Sequence, residues 1–186
     1  PNIANIDWPA VRVDVERQMR FPWSGGRHPW LDAAVETENY LIGVESKRYE
    51  PFRDRKRAKL SPKYASVDWS KGMNPWGEMR DRLLANPMAY RYLDAAQLVK
   101  HSYGLATEAR RINKQPTLLY LFAEPTKEPQ VDEDAIGRHR AEIQEFATAV
   151  AGADVAFYSC SWREWLATFP KDLKAHADRV IARFHP

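Results

Sequence analysis

The sequence has one cysteine, Cys160, so no intrachain disulfide can form, and a reducing, cytoplasmic setting is the natural expectation for it. An inert buried thiol in an apolar strand is the expected state of that residue. It also lacks any run of about 18 apolar residues, which excludes a membrane-spanning helix, and nothing resembles a signal peptide. The five histidines have no zinc-ligand spacing. No G-x-x-x-x-G-K-[ST], G-x-G-x-x-G or G-x-S-x-G string occurs, which leaves an ATPase, a dinucleotide enzyme and a serine hydrolase without support. The charge excess is small, +3, and tolerates a polyanionic partner without requiring one.

What is present is globular. Hydrophobic residues make up 44% and charged residues 28% of 186 positions, with 7 Trp, 8 Tyr and 7 Phe to fill a core. That length fits one domain over 1–186. Val11 to Phe21 alternates Val11, Val13, Val15, Met19 and Phe21 against Arg12, Asp14, Glu16, Gln18 and Arg20, the pattern of a half-buried strand. A turn at Ser24-Gly25-Gly26 follows. His28 to Val35 and Tyr40 to Tyr49 read as a hairpin turning at Glu36 to Asn39, and the run from Tyr40 to Val44 suits a central strand covered on both faces. Glu36 and Glu38 read as solubilising turn residues.

Arg53 to Gly72 is basic and apolar-poor, the one stretch resembling a linker. A helix then starts with Asn74 as N-cap and Pro75 at its first position and ends before Pro87. A longer helix runs from about Ala89 to Ile112, burying Leu98, Leu105, Ala109 and Ile112 and turning Gln97, Lys100, His101 and Glu108 elsewhere. Thr117 to Ala123 is a strand. Asp132 caps a helix that buries Ile136, Ile143, Phe146 and Val150 and stops at Gly152. Val155 to Cys160 is a strand, Ser161 and Glu164 form a capping box over a helix at Trp165 and Leu166, and a last amphipathic helix spans about Asp172 to Phe184. The order predicts an α/β fold: a mixed sheet with an antiparallel three-strand start, then parallel additions, flanked by helices.

The chemistry is expected in the hairpin. With the turn centred between Glu38 and Asn39, paired residue numbers sum to 77 and Asp32 falls opposite Glu45, their Cβ atoms about 5 Å apart. Two carboxylates that close repel unless a cation lies between them. Lys47 emerges on the face of Glu45 because strand side chains alternate. Oxygen ligands select magnesium, with manganese as a substitute, and the Ser46 carbonyl can add a further ligand. Such a metal polarises a phosphate while the lysine positions water or stabilises charge, which is phosphodiester hydrolysis. Glu16, on the polar face of the first strand, is a possible additional acid. Arg53, Arg55, Lys56, Arg57, Lys59 and Lys63 follow closely and suit DNA phosphates. Trp23, Trp30, Trp69 and Trp76 offer base-stacking planes, although core packing is the commoner use.

Asp32, twelve intervening residues and Glu45-Ser46-Lys47 resemble the D…(D/E)-x-K signature of the PD-(D/E)xK nuclease superfamily. The wider strings PWLDAAV…LIGVESKRYEPF and QLVKHSYGL resemble bacterial restriction endonuclease-like proteins, a likeness running from about Val11 to Leu166. The resemblance implies a restriction-endonuclease-like core, metal at Asp32 and Glu45, and Lys47 serving the attacking water. It also implies that Gln97 and Lys100 on the long helix approach the site or the DNA backbone, and that two copies can combine to cut both strands. Leu31 stands where the superfamily's proline would be, and Pro1 to Ala10 represent its first core helix poorly. The rival expectations are a catalytically inactive nucleic-acid-binding or regulatory protein on the same fold, and a plain protein-interaction domain.

Overall fold

In a computed structural model, which describes residues 6–53, 57–125, 131 and 133–186, five strands form one mixed sheet in the order β1-β2-β3-β4-β5. The strands are β1 (Arg12–Gln18), β2 (Trp30–Glu36), β3 (Tyr40–Lys47), β4 (Gln115–Phe122) and β5 (Ala156–Ser161). β1, β2 and β3 pair antiparallel, and β3, β4 and β5 pair parallel, as the alternation of elements predicts. Five α-helices accompany them: α1 (Asn74–Ala85), α2 (Ala95–Arg111), α3 (Glu133–Ala149), α4 (Trp162–Ala167) and α5 (Lys174–Phe184). Among the described residues, no helix is long and apolar enough to cross a membrane.

The larger core lies between one sheet face and helices α1, α2 and α3, and includes Leu41, Trp76, Leu98, Leu105 and Phe146. The smaller one, on the other face, joins Ile42, Leu119, Leu121 and Cys160 to Trp162 and Trp165 of the α4 region. Adjacent residues of β3 thus face different cores, which explains its continuous apolar run. Cys160 is buried, and burial raises its thiol pKa, as befits an inert side chain.

The valine face of β1 departs from expectation. Val11, Val13 and Val15 are 67%, 62% and 75% exposed, and only Met19 and Phe21 of that set are buried. β1 is an edge strand whose expected single face is divided: Val13 pairs with Val35 on the face of the smaller core, whereas Met19 and Phe21, beyond the left-handed Glu16, join the larger core on the opposite face, and the valines stay exposed. Glu36 is no solubilising turn residue either. It closes β2 by pairing with Arg17 and with Lys114, the latter at 3.3 Å.

Helix boundaries shift for identifiable reasons. Asn74 is the first residue of α1 rather than its cap, because a 3-10 turn at Lys71–Met73 leads into it. α2 starts at Ala95, not Ala89. Asp94 caps it by accepting from the Gln97 N–H at 3.0 Å, and the Glu142 carboxylate of α3 takes the backbone N–H groups of Arg91, Tyr92 and Leu93. Those three donors are therefore satisfied without a further helical turn. The expected cap Asp132 lies outside the described residues, while the Ser161–Glu164 capping box forms as predicted.

Two glycines set how closely α2 approaches the sheet. A Cβ on Gly43 would lie 2.5 Å from Leu31 and 2.8 Å from Leu105 of α2. One on Gly104 of α2 would lie 2.7 Å from the Met19 Cβ and 3.3 Å from its carbonyl oxygen. Gly104→Ala gains about 1 kcal/mol of helix propensity but incurs roughly 1–3 kcal/mol of overpacking against backbone that cannot swing away. The expected net is a loss of about 1 kcal/mol in urea unfolding. A neutral or stabilised variant would show that this contact is not tight.

Candidate active site

The β2–β3 register is the predicted one: Ala33 pairs with Val44, Ala34 with Gly43, Val35 with Ile42 and Glu36 with Leu41. Extended one step, it sets Asp32 against Glu45. The ladder stops before that step, however, and the Asp32 carboxylate accepts the Ser46 N–H at 2.6 Å. The strands splay there, and a side chain replaces a rung. On the other side, the β1–β2 ladder skips Glu16 opposite Asp32, and Glu16 has a left-handed backbone with φ of 52°. Such a conformation costs a non-glycine residue about 1–3 kcal/mol and concentrates at functional sites.

Glu45 is only 1% exposed beneath α2, a costly place for a charge without partners. It has two. Lys47 Nζ is in direct contact with Oε1, and His101 Nε2 lies 2.9 Å from Oε2. The imidazole approaches Oε2 without an aligned hydrogen bond, so Oε2 keeps an unspent lone pair and both ring nitrogens of His101 are likewise unmatched. A buried carboxylate oxygen left open next to a second carboxylate suits a hard cation. Among the described residues, no group of three His, Cys, Asp or Glu side chains is placed to hold a metal ion, so a cation here would rest on Asp32, Glu45 and backbone oxygen such as that of Ser46.

The two acids respond oppositely to this environment. Burial raises the Asp32 pKa, with the charges of Glu45 and Glu16 adding to it against the Ser46 N–H and Lys47. Burial also acts to raise that of Glu45, but His101 and Lys47 outweigh it and hold the carboxyl below its usual range. Burial alone would lower the Lys47 pKa. Glu45 first, then Asp32 and Glu50, reverse this and raise it, so the ammonium stays protonated through neutral pH.

His101 was expected on an outer face of α2 and is instead 1% exposed against Glu45. The apolar positions Leu98 and Leu105 leave a gap of seven residues, which a continuous buried stripe must bridge at position 101 or 102. That spacing is the signal that would have found it, and both His101 and Ser102 are buried.

Gln97 borders two recesses. One reaches Lys47, Glu50 and Tyr120. The other is a cleft of about 650 Å³ whose lining includes Lys59, Lys63, Lys100 and His101. Lys59 and Lys100 therefore border a cleft that His101, the neighbour of Glu45, also lines, whereas Asp32, Glu45 and Lys47 do not line it. Arg53 and Arg57 are exposed but do not line that cleft, and Arg55 and Lys56 lie outside the described residues.

Three substitutions probe this balance in the metal-free protein. A raised carboxyl pKa means that Asp32 favours the folded state fully below its unfolded pKa and loses that contribution as pH rises through the folded value. Asp32→Asn, which keeps an acceptor for Ser46, should therefore stabilise slightly at pH 7, since the exposed carboxylate is screened by solvent. The lowered pKa of Glu45 gives the reverse: its contribution is present above the unfolded pKa and lost as pH falls through the folded one. Glu45→Gln should cost roughly 3 kcal/mol by stranding Lys47. Urea unfolding in EDTA tests the pair, and shifts of the same sign would overturn this electrostatic account. Glu16→Gly should raise stability by about 1 kcal/mol in the same assay, since glycine adopts a positive φ without strain.

Comparison with protein-family models, with curated proteins and with solved structures finds no match to this chain.

Proposed function

We propose that the chain is a metal-dependent endonuclease that hydrolyses DNA phosphodiester bonds on a restriction-endonuclease-like core. The observation that carries this reading is the convergence of the buried Glu45 carboxylate, the Lys47 ammonium in contact with it, and Asp32 from the splayed neighbouring strand. Asp32, Glu45 and the Ser46 carbonyl would hold magnesium, with manganese able to substitute. When bound, the ion supplies Lewis acidity toward a phosphate oxygen and makes water a stronger nucleophile at neutral pH.

The chain's own groups divide the remaining work. Glu45 is pinned by Lys47 and His101, so its open oxygen is held in place before any ion arrives. Lys47, kept cationic by its acidic neighbours, serves as an electrostatic and positioning group and not as a base: it donates to the attacking water and offsets negative charge building on the phosphate. Lys59, Lys63 and Lys100 supply sequence-independent contact to the backbone of the strand being cut.

Calorimetry with magnesium should show saturable binding to the wild type and none to Asp32→Asn. Supercoiled plasmid should be nicked in magnesium, protected by EDTA, and cut roughly 100-fold more slowly by Lys47→Ala, the usual size of losing one preorganised charge-stabilising group. DNA bound without metal and never cut by the wild type would sink the enzymatic reading in favour of a nucleic-acid-binding protein.

A further inference from the structure

We propose that the cleft lined by Trp30, Lys100 and His101, the last in contact with Glu45, seats an unpaired strand of DNA, with one base stacked on Trp30. The identity of this ligand rests on the DNA-cleaving reading above; the preference for an unpaired strand rests on the cleft itself.

Of the four tryptophans that offer stacking planes, three are occupied. Trp76 is fully buried, Trp69 lies 4.4 Å from the Tyr103 ring centroid, and Trp23 stacks on Phe21 at 4.6 Å. Trp30 is 54% exposed and lines the cleft with Trp23. Trp8 is also exposed, at 60%, but lies outside the cleft, whereas the position of Trp30 is specific: it precedes Asp32 by two residues of extended strand, about 7 Å of backbone. A base resting on Trp30 thus has its own phosphates within reach of the acidic pair.

Charge around the ring complements that ligand. Arg27, Lys59, Lys63 and Lys100 line the same cleft, contributed by the loop after β1, by the segment before α1 and by α2. A polyanion threading past them meets four cations against one carboxylate, Asp94, in the lining. The volume, about 650 Å³, falls within the roughly 300–1,000 Å³ of pockets that enclose ring-containing ligands. The bases of a duplex are stacked on one another and offer no free face to an indole, whereas an unpaired base does. Aromatic planes set among cations are the sequence-tolerant device by which proteins hold single strands.

The test is binding of a fluorescently labelled oligonucleotide, followed by anisotropy in EDTA so that nothing is cut, with the single strand, its blunt duplex and an RNA strand of the same sequence as arms. The single DNA strand should bind at least about tenfold more tightly than the duplex at equal salt. Trp30→Ala should lose about tenfold on the single strand while leaving duplex affinity unchanged, and Trp30→Phe should keep most of it. Lys63→Ala should lower the salt dependence by about one ion, irrespective of base sequence. Equal or tighter duplex binding, binding of the RNA strand alone, or a Trp30→Ala protein that melts normally yet binds as the wild type does would overturn the proposal. Absence of plasmid cleavage in magnesium would count against the nuclease reading and leave these binding results standing.

Discussion

Glu45 is a carboxylate taken almost wholly out of water, and the site depends on that burial being tolerated. An unpartnered charge there would cost several kcal/mol, more than a domain of this size can readily spare. Lys47 and His101 offset the cost from two directions, one along the same strand and one from the helix above. His101 arrives only because α2 lies close to the sheet, and α2 lies close because Gly43 and Gly104 carry no Cβ. Packing and electrostatics are therefore one constraint: a methyl group in the wrong place moves the imidazole that makes the charge tolerable.

Around this fixed point the strands do something unusual. β2 leaves β3 after Ala33, and the Asp32 carboxylate takes the backbone donor that the next rung would have satisfied. β1 leaves β2 at the same level through the left-handed Glu16. Both irregularities meet at Asp32, the group whose pKa burial raises. Strain, a broken ladder and an unfavourably placed carboxylate thus coincide at one level of the sheet, where an uninterrupted antiparallel ladder would have been more stable.

What the sequence made legible follows from which interactions are local. The hairpin register could be read because Glu38 and Asn39 bound a short turn and strand pairing is then arithmetic. The mixed sheet could be read because β4 and β5 each follow a helix. Tertiary facts were harder. Alternation in β1 put Val11, Val13 and Val15 on one face with Met19 and Phe21, yet nothing local says that the chain changes faces at Glu16 and leaves the valines of an edge strand uncovered. Ala89 to Leu93 has helical composition, but the distant Glu142 takes its backbone donors and holds it out of α2. His101 was misplaced because a stripe counted from large apolar residues passes over a buried polar member, although the gap between Leu98 and Leu105 demanded one.

The balance of pKa shifts separates a structural role from a chemical one. An ion pair that existed only to hold strands together would draw both carboxylates below their ordinary range, because each would gain more from its partners than burial removes. Glu45 behaves that way, and so does Glu36 with Arg17 and Lys114. Asp32 does not: it accepts a backbone N–H and lies near a lysine, and its carboxyl is still raised. On Glu45 the oxygen without an aligned donor is Oε2, which faces His101 Nε2 at 2.9 Å. A divalent cation shared by the two acids, as the proposed function requires, would act on both: it would relieve the carboxylate that burial disfavours and take the oxygen that no aligned donor satisfies.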